Sequence, residues 1–218
     1  MTRRALVTAL VGVLALVAVA IGGFAPGSDA GESGGEINFT ERTAESGLSY
    51  RDVREGVGNG NAGVYVTDVN DDGWEDVLAI GGERPALFVN DNGTFERSDA
   101  LPSLDRSFKS AAVVDYDGDG WEDLLLLPAG GSIVTLHNDG GSLERADVGL
   151  GNTTYPLGAA PADYDGDGDQ DLLVYQSGDW AEGKPKGSSS LDASFSDDNG
   201  HPNILYENTG DGFERVTD

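Results

Sequence analysis

Residues 111–127 read Ala111-Ala-Val-Val-Asp115-Tyr-Asp117-Gly-Asp119-Gly120-Trp-Glu-Asp123-Leu-Leu-Leu-Leu. Two short apolar segments flank a loop with carboxylates at its first, third, fifth and ninth positions and glycine at its sixth. Runs this short, bounded by turn residues and without a 3.6-residue apolar period, predict two strands joined by a tight loop rather than a helix. The pattern occurs twice more. Gly63-Val-Tyr-Val-Thr-Asp68-Val-Asn70-Asp-Asp72-Gly73-Trp-Glu-Asp76-Val-Leu-Ala-Ile precedes it, and Ala159-Ala-Pro-Ala-Asp163-Tyr-Asp165-Gly-Asp167-Gly168-Asp-Gln-Asp171-Leu-Leu-Val-Tyr follows. The opening aspartates, Asp68, Asp115 and Asp163, stand 47 and 48 residues apart.

A second landmark recurs downstream of each loop. It reads Leu87-Phe-Val-Asn90 leading to Phe95-Glu-Arg97, then Leu136-His-Asn138 leading to Leu143-Glu-Arg145, then Leu205-Tyr-Glu-Asn208 leading to Phe213-Glu-Arg215. The third copy carries about 22 extra residues, roughly 178–200, rich in Gly, Ser, Asp and Lys and read as an exposed surface loop. Each repeat holds four short strand candidates; in the first they are residues 64–67, 77–80, 86–89 and 94–97. Four strands in a 47-residue period predict a β-propeller blade. The expected fold is therefore all-β, with three four-stranded propeller blades in an incomplete ring, after an N-terminal hydrophobic helix. Propellers close with about four to eight blades. Residues Phe39-Thr-Glu-Arg42 resemble a stray fourth strand, so the chain is expected to be part of a longer propeller or to need a partner chain.

The loops are predicted calcium sites. Calcium is a hard cation that takes six to eight oxygens, and alternate spacing on a tight turn points side chains inward while the sixth-position glycine allows the bend. The expected side-chain ligands are Asp68, Asn70, Asp72 and Asp76; Asp115, Asp117, Asp119 and Asp123; and Asp163, Asp165, Asp167 and Asp171. Position 7 is expected to offer its backbone carbonyl, from Trp74, Trp121 and Asp169. Close carboxylates repel by about 1 kcal/mol per pair even at the dielectric of water, so a cation is needed to close each loop. An EF-hand would place Glu at position 12, where this chain has Ala79, Leu126 and Val174. About three calcium ions are expected.

With these residues the chain resembles FG-GAP/VCBS repeat proteins, the integrin-α type of propeller. With Phe39-Thr-Glu-Arg-Thr-Ala-Glu-Ser-Gly47-Leu48 it is also similar to the cartilage-acidic-protein-like group. The resemblance spans residues 37–218. It implies calcium in the loop between the first two strands of a blade, on one propeller face. In the first loop, Asn70 stands where the family pattern has Asp, one charge fewer.

The composition supports this setting. The 218 residues carry 39 acidic and 13 basic side chains, a formal net charge of −26, which argues against nucleic acid as a partner. Cysteine is absent, which removes disulfides, thiol catalysis and Cys-ligated metals. Residues 1–24 hold an uncharged run behind Arg3 and Arg4, with a small-residue site at Ala18-Val19-Ala20. They are expected to be an export signal or a retained membrane anchor, and the only membrane contact. Residues 25–36 read as a flexible linker. Gly58-Asn-Gly60-Asn-Ala-Gly63 precedes a strand rather than a helix and reads as a tight turn, not a dinucleotide site. His137 and His201 are given surface or packing roles, since neither shows metal-ligand spacing. Trp74 and Trp121 are expected to pack against a neighbouring blade, and Trp180 is the candidate exposed recognition aromatic. The expected function is an exported or cell-surface calcium-binding module that binds an extracellular protein or glycan, without enzymatic activity. The competing reading is part of an extracellular polysaccharide lyase or hydrolase.

Overall fold

The computed structural model describes residues 39–50, 63–81, 84–104, 106–128, 131–177, 180–181, 184–185 and 201–217. The predicted N-terminal helix, the linker, the turn at 58–62 and most of the 178–200 insertion lie outside them. Among the described residues no helix is long and apolar enough to cross a membrane. Residues 39–42, read as a stray fourth strand, carry no strand; a single helical turn, α1 (Thr43–Ser46), follows them.

Three four-stranded antiparallel sheets make up the rest. The first consists of β1 (Gly63–Thr67), β2 (Asp76–Ile80), β3 (Ala86–Asp91) and β4 (Thr94–Ser98), paired in that order. The second has β5 (Phe108–Val114), β6 (Asp123–Pro128), the short β7 (Gly131–Ser132) outside it, then β8 (Val134–Asp139) and β9 (Ser142–Ala146), ordered β5-β6-β8-β9. After the short β10 (Asn152–Thr153), which pairs with β7, the third has β11 (Pro156–Ala162) and β12 (Asp171–Gln176). A two-residue ribbon, β13 (Trp180–Ala181) with β14 (Lys184–Pro185), interrupts it before β15 (Ile204–Asn208) and β16 (Phe213–Arg215) complete the order β11-β12-β15-β16. The four-strand repeat expected from the sequence is thus present three times, as propeller-like blades that form no closed ring among the described residues.

Register is the same in each copy. The residue before the loop faces the ninth-position aspartate: Thr67 opposite Asp76, Val114 opposite Asp123, Ala162 opposite Asp171. The second strand of the middle blade, β6, reads as a continuous apolar run because both its faces are covered, whereas alternation would mark a strand with one wet face. Leu78 and Ile80 of β2 share a core with Leu124 and Leu126 of β6. The other face of β6, Leu125 and Leu127, shares a second core with Leu172 and Val174 of β12. All four leucines of β6 are fully buried, each contributing roughly 1.5–3 kcal/mol of transfer free energy. On β12 the residues in the places of Leu125 and Leu127 are Leu173 and Tyr175, 44% and 47% exposed. Among the described residues, this face of the third sheet is therefore partly exposed.

The connections into the first and third sheets pass close against those sheets' outer strands. Gly149, at φ +82°, runs so close to Phe213 of β16 that an added Cβ would stand 2.4 Å from its carbonyl oxygen. Gly47, at φ +83°, meets Phe95 of β4 in the same way. Positive φ and that backbone approach both require glycine. Each glycine is followed by an inward leucine: Leu150 is in the core between the second and third sheets, and Leu48 packs on Ala79, Ala86 and Phe88 of the first.

Candidate metal-binding loops

The loops join β1 to β2, β5 to β6 and β11 to β12, where the sequence places them. The first two have one internal geometry. Asp68 accepts from the backbone N–H groups of Asp72 (3.1 Å) and Gly73 (2.8 Å), and Asp115 accepts from those of Asp119 (3.1 Å) and Gly120 (3.0 Å). The third-position side chain caps the same fifth-position N–H, Asn70 at 3.2 Å and Asp117 at 3.3 Å. The fifth-position carboxylate accepts from position 7, Asp72 from Trp74 (2.9 Å) and Asp119 from Trp121 (2.8 Å). The third loop keeps the Asp165–Asp167 and Asp167–Asp169 bonds (3.2 and 3.0 Å), but its first carboxylate, Asp163, turns to Gly166 N–H at 2.7 Å.

Three carboxylates converge in two of the three loops. Asp115, Asp117 and Asp119 bring carboxylate oxygens within 4.8 Å of one another, as do Asp163, Asp165 and Asp171. Such spacing lets one cation bridge them, and the all-oxygen donor set suits a hard ion. In the first loop the Asn70 amide donates to Asp72 at 3.0 Å, so part of that ligand set is engaged internally.

The ninth-position aspartate has a structural task that spacing alone does not show. Asp76, Asp123 and Asp171 are fully buried or nearly so. One oxygen of each accepts from the loop's second residue: Val69 N–H at 3.0 Å, Tyr116 at 3.1 Å, Tyr164 at 2.9 Å. The other accepts from the landmark asparagine's N–H on the third strand: Asn90 at 2.7 Å, Asn138 at 2.8 Å, Asn208 at 2.8 Å. A carboxylate is thus the tie between loop and sheet. Burial raises the Asp76 carboxyl above its ordinary value and pushes Asp123 up to about 6, against the lowering by its backbone donors.

The landmark asparagine is a clamp that the sequence reading did not assign. Its side-chain oxygen accepts from the following turn, from Gly93, Gly141 or Gly210 N–H at 2.8–3.0 Å. Its amide donates to the eighth loop residue of its own sheet, Glu75, Glu122 or Gln170, at 2.9–3.2 Å. In the second and third sheets it also reaches the preceding sheet: Asn138 donates to Val69 carbonyl at 2.9 Å, and Asn208 to Tyr116 carbonyl at 2.7 Å. The acceptor is each time the second residue of the preceding acidic loop. Loop conformation and sheet stacking are therefore linked through the backbone of one residue, whose N–H binds the ninth-position aspartate and whose carbonyl binds the next sheet's asparagine.

His137 packs edge-on against Tyr116, ring centroids 6.0 Å apart, which fits a packing role, and it also meets carboxylates that local spacing does not show. It is half-buried, with Nδ1 3.2 Å from Asp123 Oδ1 and 3.3 Å from Asp117 Oδ2, inside a cluster able to hold a metal. Its position, one residue before the landmark asparagine, is Val89 in the first sheet and Glu207 in the third. Glu207 likewise lies by its own loop, accepting from Tyr164 hydroxyl at 3.2 Å. That variable position, rather than any local spacing, is the signal that could have found it. Trp74, in the first sheet, is 44% exposed among the described residues. Trp121 is half-buried and lines a cleft of about 510 Å³ with Val66, Thr67, Asp68 and Glu75 of the first sheet's side. Glu122 also lines it, and its carboxyl is raised by burial and by the nearby Asp115 and Glu75 charges.

Comparison with known proteins agrees with the repeat. The FG-GAP-like repeat model matches residues 68–126 and 115–174, each span running from an acidic loop into the second strand of the next sheet. No curated protein matches the chain, so nothing supports the finer likeness to the cartilage-acidic-protein-like group. Among solved structures, a lectin of Agrocybe aegerita, described as recognising non-reducing terminal N-acetylglucosamine, matches with 16% identity and a TM-score of 0.46. The match covers 72% of this chain and 38% of the lectin, so this chain spans well under half of that structure. A superposition that loose carries no argument about ligand.

Proposed function

We propose that this FG-GAP repeat protein is an exported calcium-binding β-propeller module that binds an extracellular protein or glycan, and that its role is recognition rather than catalysis. The observation that supports calcium is the convergence of Asp115, Asp117 and Asp119, and of Asp163, Asp165 and Asp171, on equivalent loops of a repeated sheet. Asp68, Asn70, Asp72 and Asp76 would hold a weaker ion, with one charge fewer and an amide already bonded to Asp72. A bound calcium ion would offset two of the three or four carboxylate charges among each loop's ligands and fix the strand-one to strand-two turns on one edge of the sheets. That edge, with the Trp121 cleft between two loops, is the recognition surface in this reading. Export rests on residues 1–24, whose basic start and apolar run fit a signal or an anchor.

Thermal unfolding with and without chelator tests this. Calcium should raise the melting temperature of chelator-stripped protein, and Asp119→Asn with Asp167→Asn should remove most of that rise. An identical melting temperature in calcium and in EDTA would sink the calcium reading.

A further inference from the structure

The cleft of about 510 Å³ between the first two acidic loops has a wall residue that neither the calcium ligands nor the sheets use. Thr67 ends β1, just before the first loop, lines the cleft and is 5% exposed. Its Oγ1 is the one buried side-chain oxygen or nitrogen left without a hydrogen-bond partner among the described residues. Strand alternation puts Thr67 on the same side of β1 as Tyr65, whose hydroxyl meets Ser110 of β5 at 3.0 Å. Thr67 therefore aims into the space between the first and second sheets, at the loop end where the cleft opens. The residue in its place is Val114 in the second sheet and Ala162 in the third, neither of which needs a polar partner. An unpaired buried hydroxyl costs stability, so a polar group arriving at this wall recovers that cost.

The rest of the wall defines the chemistry of that group. Asp71, Glu75 and Glu122 line the cleft from loop positions 4, 8 and 8, outside the predicted calcium ligands. Their charges therefore remain when the loops are filled. Glu122 feels the charge of Glu75. Among the described residues no ion pair reaches these three, and no basic side chain lines the cleft. Half-buried Trp121 adds an aromatic face. The corresponding positions between the second and third loops carry Asp169 in place of Trp121 and Gln170 in place of Glu122, so the combination belongs to the first cleft. Carboxylates around an aromatic face suit a cation. A guanidinium fits best, because it is planar, stacks on an indole and offers five N–H donors to separate acceptors, whereas an ammonium is a point charge. A neutral sugar would leave the carboxylate charge unbalanced.

We propose that this cleft takes an arginine side chain of an extracellular protein, its guanidinium stacked on Trp121, paired with Glu75 and Glu122, and donating one N–H to Thr67 Oγ1. This rests on the recognition reading and deepens it by naming the chemistry of the partner. Charge complementarity is the argument for this occupant: the cleft is acidic on both sides, and the net charge of −26 draws a basic partner toward it. The size also fits, since pockets for small groups run from about 300 to 1,000 Å³.

The test is calorimetric titration of the full chain, in calcium, with a capped peptide carrying one arginine between glycines. The same peptide with citrulline, which keeps the shape without the charge, the same with lysine, and a set of neutral disaccharides are the comparisons. The arginine peptide should bind saturably, more tightly than the others, and more weakly as salt rises. Glu75→Gln and Glu122→Gln should each weaken it by about two- to five-fold while keeping the wild-type calcium-dependent melting shift. Thr67→Val should weaken it too, yet raise the melting temperature of the peptide-free protein, an outcome that a misfolded variant would not give. No binding of the arginine peptide, equal binding of the citrulline or lysine peptide, or wild-type affinity in all three variants would overturn the proposal. Binding of a neutral disaccharide without the arginine peptide would overturn it and leave the recognition reading standing. Arginine binding in a protein that melts identically in calcium and in EDTA would support it and remove only the calcium reading.

Discussion

Replacing Asn138 by alanine tests the clamp between sheets. The substitution removes three hydrogen bonds: to Val69 carbonyl (2.9 Å), to Glu122 carbonyl (3.1 Å) and from Gly141 N–H (2.8 Å). At about 1 kcal/mol net for each, the loss is about 3 kcal/mol. Val69 is 1% exposed, so its carbonyl would be left buried without this donor, which pushes the cost upward. Asn90→Ala is the internal control. It loses only the bonds to Glu75 and from Gly93, about 2 kcal/mol on the same scale. The difference, about 1 kcal/mol or somewhat more, is the bond that crosses between sheets. Urea unfolding followed by circular dichroism, in calcium, measures both. Asn208→Ala should match Asn138→Ala. If Asn138→Ala costs no more than Asn90→Ala, the inter-sheet bond does not hold the sheets together and the clamp is wrong.

Three further outcomes follow from the same structure. Asp123 has a folded pKa of about 6, raised by burial above the ordinary 3.8. The folded state then binds more protons than the unfolded one between those values, so metal-free protein should lose up to about 3 kcal/mol as pH rises from about 4 to 6, a loss absent below that window and complete above it. Denaturant unfolding in EDTA across that range checks it, and a stability that rises through the window instead would contradict the buried-charge account. Leu125→Ala should cost about 2–5 kcal/mol because it empties a fully buried site between two sheets, while Leu173→Ala, at the equivalent but 44% exposed place, should cost well under half of that; equal costs would contradict the assignment of the partly exposed face. Gly149→Ala, with φ +82° and a Cβ that would meet Phe213 carbonyl at 2.4 Å, should destabilise by clearly more than Gly166→Ala, whose φ is +84° but whose surroundings are open, as compared by thermal melts.

Much of this architecture is legible in the sequence because the strands are short, their apolar faces alternate and the loops are built from local rules. Asp115, Asp117 and Asp119 converge because a nine-residue turn leaves them little choice, and glycine at 120 takes the positive φ, +94°, that the turn needs. What escapes the sequence depends on distance along the chain. Asn138 meets Val69 across 69 residues and Asn208 meets Tyr116 across 92, contacts that exist only once the sheets stack. His137 reaches Asp117 because β8 lies beside β6, a proximity that no local spacing encodes. The ninth-position aspartates were read as ligands alone. Their two backbone hydrogen bonds each tie the loop to the third strand as well, which follows from pairing geometry rather than from the motif.

The central claim is that the acidic loops are calcium sites, and calorimetric titration of chelator-stripped protein with calcium tests it most directly. The account predicts saturable binding of about one ion per loop, with the all-aspartate loops at 115–123 and 163–171 filling before the Asn70 loop. It also predicts that Asp119→Asn and Asp167→Asn together abolish the tighter events. A titration without binding heat, confirmed by equilibrium dialysis showing no retained calcium, would contradict it.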